Sequence, residues 1–454
     1  MIKLLGCSTA LPVVTGCDGA AEFDPQSARR PKPSNYWAGP APIDMQVFPA
    51  GVQSGEVTAS SILLWCRPTL STSLSLAYAL WNGYRWLEAE SVPLESGPDG
   101  YTHHVLRDLT PDTPVAFQFI DDNGAGSPTG FTTTAIRNSA PVRFGIISCT
   151  RQPWAPYPAL SALAKMPIDV CLHLGDTSYN DGAQTLTDYR KMWADTLSQV
   201  GYVDLHQSCS SIITWDDHEI YNNWDRETVP DSIFTMATTA FFETLPHTPN
   251  TDSEVGLWRA YQWGSTVDFF VLDCRGERRP SDDEYISKKQ LEWLVQGVCS
   301  SQATWKVIVN SVPITNMPPV FDVDIAIVDR WEGYQQQRTA LVEALASCGA
   351  TGILFTGGDL HMSAFCTVER EGPGSNMLEL IVGPSGQRGN PLGVLIPKDS
   401  QFVYSGAENC SGVVELHHDG TGLVELINES GETIASAGLD ASGEFTDVWW
   451  AADT

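Results

Sequence analysis

Residues 215–224 read Trp-Asp-Asp-His-Glu-Ile-Tyr-Asn-Asn-Trp and follow an apolar, strand-like run at 211–215. Two further clusters have the same character: Gly-Asp-Thr-Ser-Tyr at 175–179 and Gly-Asp-Leu-His at 358–361. Carboxylates and imidazoles are costly to bury unless another group compensates their charge or polarity. Because all three clusters stand at the ends of predicted buried strands, a bound pair of metal ions is the interpretation that compensates them together.

Strands and helices alternate from Pro141 onward, which indicates an α/β domain. The predicted strands lie at 142–148, 169–174, 211–215, 266–273, 305–311, 351–356 and 377–382. Helices are predicted near 158–165, 185–199, 287–298 (N-cap Ser287) and 333–347. Ser148-Cys149 follows the first strand, so four polar clusters occupy strand ends. Ligand sites in open α/β sheets gather outside the carboxyl ends of strands, and we therefore expect the clusters to meet.

The region ahead of this domain has only short β-type runs. They alternate with turn residues from Gln46 to about residue 134, and no helical period interrupts them. This pattern predicts a small β-sandwich over residues 44–136, ahead of the α/β domain over 141–450. Near the carboxyl end, residues 412–426 predict a hairpin around Asp419-Gly420.

The composition restricts the classes of partner. The chain has 454 residues, 42% of them hydrophobic, and a formal net charge of -29. This is enough apolar material for a large core and two or three domains. A strongly acidic chain repels nucleic acid and anionic membranes, so no nucleic-acid duplex is expected as a partner. The sequence leaves the oligomeric state open.

The amino terminus predicts export. Residues 1–17 combine Lys3, a short apolar run and small residues, as in a signal peptide. Residues 14–17 read Val-Thr-Gly-Cys and resemble a bacterial lipoprotein cleavage box, which would place a lipid anchor on Cys17. Residues 18–43 predict a linker. The protein is therefore expected in the periplasm, at the cell surface or outside the cell.

Eleven cysteines are present. Cys7 would leave with the signal, Cys17 would carry lipid, and Cys149 belongs to a strand-end cluster. Among the others, Cys171 and Cys274 lie in apolar runs and are expected as free core residues. An exported protein can pair some of the remainder, but the sequence does not determine which.

The ordered clusters resemble those of the metallophosphoesterase superfamily, most closely the PhoD-type alkaline phosphatase/phosphodiesterase family. Further matching stretches are Phe-Pro-Ala-Gly-Val-Gln-Ser-Gly at 48–55, Leu-Leu-Trp-Cys-Arg at 63–67, Val-Leu-Asp-Cys-Arg-Gly-Glu-Arg at 271–278 and Gln-Leu-Glu-Trp-Leu at 290–294. The likeness runs from about residue 46 to residue 440. It implies a four-layer αββα phosphoesterase domain preceded by a small all-β sandwich.

The resemblance also implies a ligand set. The first metal would be held by Cys149, Asp176, Tyr179 and His361. Asp176 would bridge to a second metal, which would be held by Asp217 and Asp359, with Asn310 as a further candidate. A thiolate and a phenolate suit ferric iron, and hard oxygen ligands favour calcium at the second position. Zinc, manganese and magnesium are the alternatives to this Fe³⁺ and Ca²⁺ pair.

Two such cations acidify a bridging water to hydroxide and neutralise phosphate oxygens. His218, next to a second-metal ligand, is expected as the catalytic residue that stabilises the transition state or protonates the leaving oxygen. Arg151 and Asn222 are candidates for substrate binding, although Asn222 is equally suited to capping a turn.

These inferences predict an exported, metal-dependent hydrolase of small organic phosphate esters, of the alkaline phosphatase D type. Whether it prefers monoesters or diesters is left open. One alternative is phospholipase C-like or phosphotriesterase activity within the same superfamily. Another is a non-catalytic surface binding protein in which the metals are structural.

Overall fold

The computed structural model describes residues 36–70, 73–320 and 327–451. The predicted signal peptide, the lipidated Cys17 and most of the predicted linker lie outside these residues. The described strands are β1 (Val52–Gly55), β2 (Ile62–Cys66), β3 (Ser73–Leu80), β4 (Glu90–Glu95), β5 (Thr102–Leu106), β6 (Pro114–Asp121), β7 (Gly130–Thr133), β8 (Val142–Ile147), β9 (Val170–Leu174), β10 (Ser210–Thr214), β11 (Arg259–Trp263), β12 (Val267–Val271), β13 (Trp305–Val309), β14 (Ile353–Gly357), β15 (Ser363–Thr367), β16 (Leu378–Ile381), β17 (Phe402–Gly406), β18 (Cys410–Leu416), β19 (Thr421–Asn428), β20 (Thr433–Asp440) and β21 (Glu444–Trp450). The described α-helices are α1 (Pro158–Leu163), α2 (Leu186–Leu197), α3 (Val200–Ser208), α4 (Asp231–Thr244), α5 (Lys288–Ser300) and α6 (Gln335–Ser347).

The larger sheet has ten strands in the order β21-β20-β19-β18-β8-β9-β10-β1-β2-β5. Its centre is parallel, because β8 pairs with β9 and β9 with β10 in the same direction. The carboxyl ends of these three strands therefore lie at one edge of the sheet. The predicted hairpin is confirmed as the antiparallel pair β18 and β19.

The second sheet has seven strands in the order β11-β12-β13-β14-β16-β15-β17. Strands β12, β13, β14 and β16 run parallel to one another. Its parallel strands are almost wholly apolar, as expected for strands buried on both faces.

The two sheets pack face to face with helices outside them. Alternation along β8 produces this arrangement: Phe144 and Ile146 point toward the second sheet, while Ile147 packs under helices α1 to α4. The rings of Phe144 and Phe269 lie 5.3 Å apart between the sheets. Helices α5 and α6 cover the outer face of the second sheet. The predicted four-layer αββα architecture is confirmed.

The range 44–136 is all-β, but its strands divide between two sheets. Strands β4-β3-β6-β7 form a separate four-stranded sheet. Strands β1, β2 and β5 instead extend the ten-stranded sheet, and Gly55 of β1 pairs with Ser211 of β10. The front region thus shares a hydrogen-bonded sheet with the α/β region, a continuity that the sequence did not predict; the domain boundaries remain a prediction.

Two helices were not predicted. They are α3 and α4, and α4 is rich in threonine and aromatic residues, which are poor helix formers. The structure shows how it is accommodated: the hydroxyls of Thr235 and Thr239 bond to the carbonyl oxygens of Asp231 and Thr235, 2.8 and 2.7 Å away. By contrast the predicted N-cap of α5 is confirmed, since the Ser287 side chain accepts a bond from the backbone N–H of Gln290.

One disulfide, Cys299–Cys348, links the carboxyl-terminal end of α5 to the end of α6. Cys171 and Cys274 are free and buried, as predicted. Across the ranges described above, no helix combines the length and the apolar character needed to cross a bilayer.

Candidate metal centre

The strand ends of the two sheets meet at one place. Trp215, just after β10, donates from its indole Nε1 to Asp273 Oδ1, just after β12, over 2.7 Å. Ser148, just after β8, donates to the carbonyl oxygen of Val382, which follows β16, over 2.7 Å. The polar clusters that the sequence places at these strand ends are thereby brought into one site.

The first group of candidate ligands contains Cys149, Asp176 and His361, whose ligand atoms all lie within 4.8 Å of one another. Tyr179 belongs to the same place, because its hydroxyl donates to Asp176 Oδ2 over 3.0 Å and lies 3.3 Å from His361 Nε2. The four predicted ligands of the first metal are therefore together.

The second group shares a member with the first. Asp176, Asp217 and His218 have ligand atoms within 4.8 Å, and so do Asp216, Asp217 and Asp359. Asp176 therefore lies between the two groups, which is the geometry that a bridging ligand requires. Asp217 and Asp359, the predicted ligands of the second metal, lie together beside it.

The backbone at these positions is strained. Cys149, Asp176, Asp359 and His361 all have positive φ, at 56°, 54°, 58° and 52°. Side-chain-bearing residues occupy this left-handed region rarely, and they remain there only when the surrounding structure fixes them. Four such residues in one site indicate that the surrounding structure maintains local backbone strain and so holds these side chains in place.

The site concentrates buried acidic side chains, and burial raises the pKa of most of them. Burial raises the pKa of the Cys149 thiol and of the Tyr179 phenol, and the nearby carboxylate of Asp176 raises both further. Burial likewise raises the pKa of Asp176 and of Asp359. For Asp217, burial raises the pKa, but Arg275 and His218 outweigh it and hold the pKa below its usual value. A bound cation reverses such shifts because it favours the deprotonated ligands.

Two unpaired oxygens provide a direct test of whether metal ions fit. Asp217 Oδ1 and Asp359 Oδ2 are both buried, and neither has a hydrogen-bond donor within the described part of the chain. Buried polar atoms in folded proteins are normally bonded. Oxygens left without donors in a cluster of thiol, phenol, imidazole and carboxylate groups fit metal ions well.

His218 is held on one side by an acid. Its Nδ1 lies 2.6 Å from Asp181 Oδ2, and its ring stacks on that of Tyr179 with centroids 4.0 Å apart. Burial lowers the pKa of His218, but the carboxylates of Asp176, Asp181 and Asp217 outweigh it and raise the pKa to about 10. In the absence of bound cations these carboxylates therefore favour the protonated ring, which is fixed beside the acidic cluster.

The predicted substrate residues lie at the rim. Arg151 is exposed, and its guanidinium carbon lies 5.6 Å from the centre of the Tyr179 ring. Asn222 is also exposed, and its backbone N–H donates to Asp181 Oδ1 over 2.9 Å. Their role in binding substrate stays a prediction.

Asn310, the further candidate ligand, follows β13 and is fully buried. Its Oδ1 accepts bonds from Cys274 Sγ at 2.8 Å and from the indole nitrogen of Trp331 at 3.5 Å. The oxygen that would bind a metal thus already has two donors, and ligation by Asn310 remains a prediction.

Three residues of the site were not assigned roles from the sequence. Glu219 accepts bonds from the backbone N–H groups of Asp176, Thr177 and Asp216 at 3.1, 2.6 and 2.9 Å, and so ties two ligand-bearing loops together. The amide of Gln387 lies 2.7 Å from His361 Nε2. Asp181, already described, orients His218. Glu219 could have been predicted from the sequence, because it belongs to the acidic stretch 216–219. Gln387 could not, because only the folded chain places it beside His361.

Comparison with solved structures agrees with this geometry. A structure described as that of PhoD superposes with a TM-score of 0.75 and 19% identity, over 93% of this chain and 94% of the other. Purple acid phosphatase PPD1 from yellow lupin (Lupinus luteus) seeds superposes with a TM-score of 0.59 and 13% identity, over 89% of this chain and 76% of the other. This chain therefore shares the overall fold of both structures.

Comparison of sequences gives the narrower assignment. The family model for PhoD-like phosphatase matches residues 144–433, and the chain belongs to that family. Alkaline phosphatase D of Bacillus subtilis (strain 168) is 25% identical over 384 residues, which are 70% of this chain. The match spans 64% of the length of that relative.

Proposed function

We propose that this protein is a metal-dependent phosphoesterase that hydrolyses small organic phosphate esters. The observation that carries the proposal is that Asp176 lies with Cys149 and His361 on one side and beside Asp217 on the other, together with the donor-less oxygens of Asp217 and Asp359. Family membership and the likeness to alkaline phosphatase D support the same reaction class.

When bound, a cation pair supplies the Lewis acid that draws charge from phosphate oxygens and acidifies a water molecule. The residues of the chain contribute orientation and a proton. Because Asp181 engages His218 Nδ1, Nε2 is the nitrogen left to face a substrate. A cationic imidazole there stabilises a phosphate oxygen or protonates the leaving alkoxide. Arg151, at the rim, adds a second positive charge for the substrate anion.

For the metals we propose ferric iron in the group of Cys149, Asp176, Tyr179 and His361, and calcium in the group of Asp217 and Asp359. Burial keeps a thiol and a phenol protonated, so an ion must attract strongly to bind both as anions. Ferric iron does this better than a divalent ion, whereas carboxylate oxygens suit calcium. Zinc, manganese and magnesium are the alternative outcomes of metal analysis.

We also propose export. Disulfides persist in oxidising compartments, and this protein has one between Cys299 and Cys348. The acidic composition is compatible with an extracellular or periplasmic protein.

The test of the function is Asp217→Asn. The matched control is Asp252→Asn, because Asp252 is exposed and belongs to none of the ligand groups. We expect Asp217→Asn to lose the second metal by elemental analysis and to lose hydrolysis of a chromogenic phosphate ester, while its circular dichroism stays unchanged. The control should behave as the wild type. Full hydrolysis by folded Asp217→Asn would refute the assignment.

The metal proposal has its own measurement. A ferric ion bound by the Tyr179 phenolate should give a visible absorption band, and Tyr179→Phe should remove it. A colourless, active preparation that contains only divalent ions would overturn the iron assignment and leave the hydrolase proposal intact.

A further inference from the structure

A fully buried arginine lies beside the metal centre. Arg275 follows β12, and its Nε and Nη2 each lie 3.0 Å from one carboxylate oxygen of Asp216. Nη2 also lies 3.0 Å from Asp329 Oδ2, and Nη1 contacts the other oxygen of Asp329. Arg278 donates to the same Asp329 from Nη1 over 2.8 Å. Two arginines and two aspartates thus form a buried unit without net charge.

Asp216 differs from its neighbours in how its oxygens are used. It forms a group with Asp217 and Asp359, with oxygens within 4.8 Å of one another. Its Oδ1 accepts from Arg275 and from Ser311 Oγ, the latter over 2.9 Å, and its Oδ2 accepts from Arg275. Asp217 Oδ1 and Asp359 Oδ2, in contrast, have no donor among the described residues. Within this group, both oxygens of Asp216 therefore already accept hydrogen bonds.

We infer that Arg275 is a positioning residue that decides which carboxylates of this group bind the second cation. It occupies Asp216 and leaves Asp217 and Asp359 for the ion; this inference rests on the proposed function. The planar guanidinium fork matches both oxygens of a carboxylate, so it competes for the lone pairs that a cation would use. The second site then holds one negative charge fewer, which favours entry of an anionic phosphate.

A purely structural role for Arg275 leads to the opposite expectation. If the arginine only supports the fold, or acts only as a nearby positive charge, Arg275→Lys should bind the cation no more tightly than wild type. If it withholds Asp216 from the ion, removing it frees a third carboxylate within 4.8 Å of the other two, and attraction to the cation rises. The sign of the change in cation affinity therefore separates the two roles.

The experiment is calorimetric titration of cation-stripped protein with CaCl₂ and with MnCl₂. Four proteins are compared: wild type, Arg275→Gln, Asp216→Asn and the double variant. We expect Arg275→Gln to bind the ion on the order of tenfold more tightly, because the carboxylate charge of Asp216 is then no longer neutralised by the guanidinium. Asp216→Asn and the double variant should bind no more tightly than wild type, because residue 216 is then neutral.

Arg275→Lys is titrated in parallel, with circular dichroism to check folding, in case Arg275→Gln is unstable. Lysine keeps the charge but loses the two-pronged contact, so its affinity should lie between those of wild type and Arg275→Gln. Where Arg275→Gln folds only with calcium, the affinity of Arg275→Lys decides, because a bound ion stabilises any weakened fold. Folded variants whose affinity for the cation is unchanged or weaker overturn the inference. Failure of both variants to fold, with or without cation, also overturns it. Neither result affects the proposed function. Wild type that binds no cation overturns both.

Discussion

The contact between Asp181 and His218 gives the sharpest test of how the site transfers a proton. In Asp181→Asn the carboxylate that lies 2.6 Å from His218 Nδ1 becomes a neutral amide of the same size. The ring keeps its stacking contact with Tyr179, 4.0 Å away, so its position should change little. What changes is the charge that stabilises the protonated imidazole.

The size of the effect follows from the geometry. A hydrogen bond to a charged group contributes about 1.5–3 kcal/mol, and about 1.4 kcal/mol corresponds to one pKa unit. The Asp181 side chain is 41% exposed, so solvent screening reduces its contribution toward the lower limit. We therefore expect the pKa of His218 to fall by about one unit in Asp181→Asn.

The assay is the pH dependence of kcat for a chromogenic phosphate ester. A proton donor works only while it is protonated, so the rate must decline as the pH rises through the pKa of His218. Because the substitution lowers that pKa, the declining limb should move about one unit toward acid, with kcat roughly tenfold lower on the alkaline side. Asp181→Glu, which restores the charge, should recover part of the shift, and the exposed control Asp252→Asn should show none.

An alkaline limb of Asp181→Asn that coincides with that of wild type at equal kcat would refute this role of Asp181. So would a rate that falls by the same factor at every pH while no limb moves, because a uniform loss would indicate misplacement of the ring and no change in its protonation.

Three other outcomes are expected. Replacing Glu219 with Ala leaves three buried backbone N–H groups without an acceptor, so urea denaturation should show a loss of about 4 kcal/mol in unfolding free energy together with weaker cation binding; a loss below 1 kcal/mol would contradict the anchoring role. The Cys299–Cys348 disulfide closes a loop with a sequence separation of 49. The double serine variant should therefore be less stable by about 4 kcal/mol in the same assay, and equal stability would contradict this estimate. In cation-free protein, His218 has a pKa raised from 6.5 to about 10. Its stabilisation is therefore complete below about pH 6.5 and is lost as the pH rises through 10, so wild type and His218→Gln should differ in urea midpoint at pH 6 and converge above pH 10; a constant gap would refute it.

The repeated placement of acids and imidazoles after strand-like runs was sufficient to predict where the site lies. Asp176, Asp217, Asp359 and His361 were each readable from the sequence, because strand period and strand end are local properties. The alternation of elements indicated an α/β domain, and the four-layer architecture was implied by the family resemblance. Helix α4 was missed because its threonines have poor intrinsic helix propensity, and the bonds back to the preceding turn that accommodate them appear only in the folded chain.

The sequence by itself determined which residues stand at strand ends and which family they resemble. Only the tertiary structure decided how their charges are shared. Asp216 and Asp217 are neighbours with the same side chain, yet Arg275 and Asp329, distant along the chain, bind the first and leave an oxygen of the second unpaired. That distinction depends on which donors lie within about 3 Å after folding, a long-range property that no local pattern of residues encodes.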